Sequence, residues 1–222
     1  MHYHIHRALV PPDLSADFDT APWADAETLE ITHWHERGSD HKPRVRAKVL
    51  YDDDALYLHF HVEDRYVLAR RQGYQDHVCR DSCVEFFVQP RPDTTRPGYF
   101  NFEVNCGGAI LLAYAVPAQA SSQPVSDDWL DRITIAHTLP ARIDKEIDQP
   151  TTWRVAYSIP IALLDHYTGR LDDRSPAPDL TCRANCYKGA DEPPPPHGGM
   201  WRNVEGKLSF HKPEYFGDIH FT

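Results

Sequence analysis

No stretch of the chain approaches the roughly 20 consecutive apolar residues of a membrane-spanning helix. The opening MHYHIHRALVPP also lacks the apolar run of a secretory signal. The chain therefore reads as soluble and unsecreted, cytoplasmic as given, or extracellular or periplasmic if a signal has been removed. Positive charge is scarce as well. Lysine and arginine number 23 against 33 acidic residues, a formal charge of -10, whereas a phosphate-rich nucleic acid requires clustered positive charge. Nucleic acid is thus a poor partner, and neutral ligands stay open. Cysteine is sparse and odd in number, at Cys79, Cys83, Cys106, Cys182 and Cys186. In a chain long enough to fold without staples, that points to a reducing compartment. Also missing are long helical periods, a G-x-S-x-G nucleophile elbow, a G-x-G-x-x-G fingerprint, a phosphate loop, an EF-hand loop and any internal repeat.

What is present is a strand pattern. With 41% apolar and 25% charged residues over 222 positions, the chain can bury one substantial core. Alternating runs rich in β-branched and aromatic residues recur near 3–8, 44–51, 55–63, 82–89, 99–105, 109–116, 133–139, 152–159, 180–188 and 217–221. Asp, Gly and Pro clusters separate them, and Asp52, Asp53 and Asp54 supply turn chemistry for a hairpin. One short helix is expected at 161–165, opened by Ser158 or Pro160. The long polar loops at 65–80, 117–131, 168–179 and 191–212 are where binding usually sits on such a scaffold. The reading is a single all-β domain over 1–222, an antiparallel β-sandwich of jelly-roll or immunoglobulin-like type.

Three strand segments carry polar side chains at regular alternate positions. In YFNFEVN, Phe100, Phe102 and Val104 point one way, while Asn101, Glu103 and Asn105 point the other. SCVEFFV and CRANCYK add Glu85, Arg183, Asn185 and Tyr187 in the same manner. Side by side, these strands would gather amide, carboxylate and guanidinium groups into one patch. Such groups suit the hydroxyls of a pyranose, whose C–H face stacks on an aromatic plane such as Trp201. The plainer alternative is a solvated sheet face kept polar for solubility.

The order of the motifs carries a resemblance. YDDDALYLHFHVED, DSCVEFFVQP, YFNFEVNCGG, WRVAYSIP, CRANCYK, a late Trp201 and HKPEYFGDIHF, spanning roughly 45–221, resemble the family 9 carbohydrate-binding modules. The resemblance implies a β-sandwich that grips an oligosaccharide or polysaccharide end between two tryptophans with help from a polar sheet face. It is not implied to be an enzyme. Glu85, Asn105 and Trp201 match the family's pattern, so the expected ligand-binding set is Trp201, Tyr187, Glu85, Asn105, Asn185, Arg183, Glu103 and Asn101. Three positions depart: Val78 or Cys79 stands where the first tryptophan is expected, Glu103 where the family has arginine, and His211 where it has an aromatic. Trp201 with Tyr187, or with Tyr74, is then the substitute stacking platform. The resemblance also implies structural calcium, with Asp52, Asp53, Asp54, Asp127, Asp128, Asp172 and Asp173 as candidates.

Other chemistry was weighed against this. Glu85 and Glu103 could serve as the two carboxyls of a glycoside-cleaving enzyme, or simply accept hydrogen bonds. His2, His4 and His6 alternate along one strand, but same-face neighbours ~6.6 Å apart cannot converge three imidazoles on one ion. They read as solvated edge-strand histidines. The pairs Cys79 with Cys83 and Cys182 with Cys186 would lie ~13 Å apart if extended, too far for zinc. A protein-interaction role is the remaining alternative.

Overall fold

The computed structural model describes residues 2–36, 38–95, 97–169, 180–192, 197–205 and 209–222. Among these, the strands in chain order are β1 Tyr3–Arg7, β2 Leu29–Ile31, β3 His33–Trp34, β4 Arg44–Tyr51, β5 Ala55–Ala69, β6 Cys83–Gln89 and β7 Tyr99–Asn105. They continue as β8 Ile110–Val116, β9 Ser121–Pro124, β10 Ile135–His137, β11 Ile143–Pro160, β12 Thr181–Ala190, β13 His197–Met200 and β14 Gly217–Phe221. Two short helices, α1 Asp127–Leu130 and α2 Ile161–Thr168, complete the regular structure with a few 3-10 turns. The all-β expectation holds. The loop expected at 65–80 is partly strand, because β11 pairs with β5 through Asp64, Tyr66, Val67 and Ala69.

One sheet runs β10-β11-β5-β4-β1-β14-β12-β6-β7-β8-β9, with β2 on β4, β13 on β12, and β3 on β13. It is mixed, which corrects the expectation of a purely antiparallel arrangement. The cause is β1, which pairs in parallel with β14 through Tyr3–Ile5 and then in parallel with β4 through His6 and Arg7. A single strand thus passes from one half of the sheet to the other. Its histidines are therefore not on an edge: β1 lies between two strands, and His4 reaches outward to the Glu27 carboxylate at 3.0 Å.

The two-residue period then sorts side chains into a core. Val45, Ala47 and Val49 of β4 with Leu58, Phe60 and Val62 of β5 share one cluster with Val84, Phe86 and Val88 of β6 and with Phe100, Phe102 and Val104 of β7. The Tyr157 ring of β11 spans the two halves, its centroid 6.3 Å from Phe60 and 6.4 Å from Phe102. Each such buried aromatic or branched side chain contributes roughly 1.5–3 kcal/mol. At the β4–β5 turn, Asp52 Oδ1 accepts the N–H groups of Asp54 and Ala55 at 2.9 Å each. The Asp52 side chain thus closes the hairpin in the manner expected of aspartate.

An ion pair crosses the same core. Lys188 of β12 and Asp64 of β5 both have fully buried side chains, with Nζ 3.4 Å from Oδ2. Lys188 also donates to the Gly189 carbonyl at 2.9 Å and lies 3.1 Å from His197 Nε2. Asp64 Oδ1 is held by His41 Nε2 at 2.7 Å and by the Arg65 N–H at 2.8 Å. Burial pushes the Asp64 carboxyl up, but Lys188, then His41, His197 and the Arg65 amide outweigh it and hold it well below the ordinary range.

Two outcomes follow for stability. Ile5→Ala, at a fully buried position of the joining strand, should cost about 2–5 kcal/mol in urea unfolding. Lys188→Met should cost about 3–5 kcal/mol by leaving Asp64 buried and unpaired, and a second change, Asp64→Leu, should recover much of it. Because the Asp64 carboxyl is depressed on folding, its contribution is present above about pH 4 and lost as pH falls further. Denaturation midpoints of the wild type between pH 3 and 7 check the sign.

Candidate functional site

β12, β6 and β7 lie side by side and antiparallel, and their register sets the outward face in rows. Tyr187 stands opposite Glu85, which stands opposite Glu103. The next row is Asn185, Phe87 and Asn101. Gly189, Cys83 and Asn105 form the row on one side, and Arg183 with Gln89 the row on the other. The polar patch expected from alternation is therefore assembled on one face.

Its members do different things. Asn105 donates to the Arg71 carbonyl at 3.0 Å and to Asp81 Oδ2 at 2.8 Å, while its Oδ1 accepts the N–H groups of Gly107 and Ala109. All four hydrogen-bonding positions of that amide are occupied by the chain itself. It shapes the β7–β8 turn, where Gly108 takes φ +86°, a region open to glycine. Asn185 accepts the Arg202 N–H at 2.9 Å and donates to the Arg202 carbonyl at 3.0 Å. Arg183 donates to the carbonyls of Glu214 and Phe216 at 3.2 and 2.6 Å. These two residues fasten the segment that follows β13 onto the sheet face.

That segment also changes the aromatic expectation. Trp201 is only 6% exposed and belongs to the main core, edge-on to Tyr3 with centroids 6.4 Å apart. A Cβ at Gly217 would stand 3.1 Å from the indole, so the ring packs against bare backbone. Tyr187 is fully buried, its ring stacked on Phe210 at 4.2 Å and its hydroxyl donating to the Phe210 carbonyl at 3.0 Å. The expected open platform of Trp201 and Tyr187 is thus closed, because Trp201 packs into the main core while Phe210 covers Tyr187. Tyr74 stands apart, its hydroxyl donating to Asp131 at 2.9 Å. Phe210 and Tyr215 are half-buried rings packed on this face, and the sequence reading did not single out either.

Glu85 and Glu103 differ from their neighbours. Glu103 accepts one hydrogen bond, from Asn101 Nδ2 at 2.8 Å. Glu85 is 2% exposed, and its carboxylate accepts no hydrogen bond from a described residue. Gly189 permits its close approach to the backbone: a Cβ there would stand 3.0 Å from Glu85 Oε1 and 4.0 Å from both the Cys79 carbonyl oxygen and the edge of the Phe210 ring. Burial, then Glu103 and Asp191, push the Glu85 carboxyl well above its ordinary range, against an opposing pull from Lys188. Glu103 is pushed up to about 7, chiefly by burial, with Asp191 adding and the Asn101 hydrogen bond opposing. The facing pair therefore retains a proton toward neutral pH. Burial and these same carboxylates push the Cys79 thiol up to about 12, so it is not a ready thiolate.

Metal chemistry fits poorly. Asp52 accepts two amides and the Tyr57 hydroxyl, and Asp53 pairs with Arg7 at 2.6 Å, so this turn offers calcium no converging carboxylates. Asp127 and Asp128 sit in the first turn of α1, and Asp172 and Asp173 lie outside the described residues. Donor atoms of His41, Asp64 and His197 come within 4.8 Å of one another, a set the sequence spacing did not reveal. The Lys188 ammonium already contacts two of the three, and a divalent ion there would meet a buried like charge. Among the described residues, no helix is long and apolar enough to cross a membrane.

A β scaffold whose unspent hydrogen-bonding groups lie on a sheet face beside a half-buried ring is the architecture of a small-ligand-binding domain. Comparison with known proteins makes this specific: the chain belongs to carbohydrate-binding family 9, whose sequence profile matches residues 16–221. The fold is similar to that of a protein from Bacteroides uniformis to which carbohydrate binding has been ascribed, with a TM-score of 0.83, 24% identity, and coverage of 100% of this chain and 99% of that one. It is also similar to a family 9 module from Caldicellulosiruptor kristjanssonii in complex with glucose, with a TM-score of 0.64, 16% identity, and coverage of 100% and 96%. A family 9 module from the same organism in complex with cellotriose gives a TM-score of 0.64 at 15% identity, covering 100% of this chain and 93% of that one. No curated protein matches by sequence.

The carboxylate pair has a stability signature. A carboxyl raised on folding contributes less as pH climbs from about 4.5 toward its folded value, so the pair should weaken the unliganded protein over that interval. Glu103→Gln, which keeps an acceptor for Asn101, should stabilise the protein on the order of 1–3 kcal/mol at pH 7 and much less at pH 4.5. Parallel urea titrations at the two pH values check this.

Proposed function

We propose that the chain is a single carbohydrate-binding domain over residues 1–222, a β-sandwich whose layers are the two halves of the curled sheet. It grips a sugar or a glycan end on the outer face of β6, β7 and β12. One observation carries the reading: the Glu85 carboxylate is almost wholly buried, points over the bare Cα of Gly189, and accepts no hydrogen bond from a described residue. A buried carboxylate needs donors, and pyranose hydroxyls supply them. Membership of carbohydrate-binding family 9 supports this, as do the similar modules that hold glucose and cellotriose. The acidic site disfavours nucleic acid.

In this reading Glu85, Glu103 and Asn101 meet the hydroxyls, and the half-buried Phe210 ring stacks on the C–H face of the sugar. Arg183, Asn185 and Asn105 act on the ligand indirectly, by holding the segment after β13 and the β7–β8 turn in position. Tyr187 backs the Phe210 ring from beneath, and Trp201 packs in the main core. The facing carboxylates, one of them raised to about 7, also favour a second reading, in which they form the acid and second carboxyl of a glycoside-cleaving site.

Calorimetry of the wild type against glucose and cello- and xylo-oligosaccharides should give saturable binding to at least one. Glu85→Ala should weaken that binding tenfold or more, about 1.4 kcal/mol, while thermal unfolding remains a single transition. If no sugar binds, the reading fails. If prolonged incubation with the same oligosaccharides releases new reducing ends, the cleaving role takes its place.

A further inference from the structure

We propose that this face selects an amino sugar, a glycan end bearing a protonated amine of the glucosamine type, over the neutral sugar of the same shape; this rests on the carbohydrate reading above. Against the bare Cα of Gly189 stand the Glu85 carboxylate, the Cys79 carbonyl and the Phe210 ring edge, with Glu103 directly across from Glu85. Asp191, whose N–H donates to the Cys79 carbonyl at 3.2 Å, bears electrostatically on both carboxylates. These groups are acceptors, save for the proton that the facing carboxyls retain toward neutral pH. The side-chain amides nearby are engaged by the chain itself: Asn101 donates to Glu103 at 2.8 Å, Asn105 to the Arg71 carbonyl and Asp81, and Asn185 to the Arg202 carbonyl.

The neighbouring cations are engaged elsewhere. Lys188 faces Glu85 from beneath the sheet, where it is paired with Asp64 at 3.4 Å. Arg80 faces Asp191 but contacts Glu192 at 3.5 Å. The remaining titratable groups near the pair are the hydroxyls of Tyr99 and Tyr187, the thiols of Cys79 and Cys83, and the His211 imidazole, 3.0 Å from the Tyr99 hydroxyl, which burial pushes toward its neutral form. None brings positive charge. A hydroxyl donates one hydrogen, whereas an ammonium donates three and carries the charge that two facing carboxylates lack. Stacking on Phe210 requires a ring, which separates an amino sugar from a simple amine or a metal ion.

The test is calorimetry of the full chain at pH 6.5 with glucosamine and its β-linked oligomers, set against the corresponding glucose and N-acetylglucosamine ligands. The amine forms should bind at least tenfold more tightly than either comparison, and Glu103→Gln should narrow that preference to about threefold or less. The preference should grow from pH 5 to 7 as the carboxylates ionise, then fall as the amine loses its proton. Equal or weaker binding of the amine forms overturns the inference and leaves the carbohydrate reading standing. Failure of every sugar to bind removes that reading itself. Lysine binding as tightly as glucosamine, or a response to calcium that replaces the need for the amine, would also overturn the inference.

Discussion

A buried ammonium ties the halves of this sheet together, and the site depends on where it points. Lys188 on β12 and Asp64 on β5 meet inside the core with no exposure of either side chain. Such a pair survives desolvation only when further hydrogen bonds surround it, and here His41, the Arg65 amide and the Gly189 carbonyl provide them. Because strand side chains alternate, an inward Lys188 obliges Tyr187 and the bare side of Gly189 to face outward. The register then sets Tyr187 beside Glu85 and brings that carboxylate against the bare Cα of Gly189. The charge that fastens the core also orients the outer face.

The polar residues of that face divide by what the backbone demands of them. A segment laid across a sheet must have its own N–H and C=O groups satisfied. Asn185 and Arg183 meet that need for the residues after β13, and Asn105 for the β7–β8 turn. Carboxylates cannot donate to carbonyls when ionised, so Glu85 and Glu103 are the groups left with capacity for a ligand. Burial is the main reason both carboxyls are pushed up, with Asp191 adding to each and Glu103 adding to Glu85.

Much of this was legible in the residues. The alternation in YFNFEVN and CRANCYK assigned inward and outward faces that the register reproduces, and the Asp52 turn formed as its chemistry implied. What was missed has a physical cause. β5, expected to end at Glu63, continues through Asp64 to Ala69 because ladder hydrogen bonds involve only the backbone. The strands β2, β3, β9 and β13 are two to four residues long, too short to display a period. The parallel pairing of β1 depends on partners some 44 and 216 positions away, and no local pattern encodes that.

The sequence by itself determined the class of fold, the outward set of Glu85, Asn101, Glu103, Asn105, Arg183, Asn185 and Tyr187, and the acidic character of any site they form. Alternation and charge are local properties, written into each strand. Tertiary structure alone decided which of these groups remain for a ligand. It sank Trp201 into the core, stacked Tyr187 under Phe210, and engaged Asn185 with the returning segment and Asn105 with the β7–β8 turn. Those outcomes turn on contacts between segments distant in the chain, where each hydrogen bond made internally is one withdrawn from the ligand.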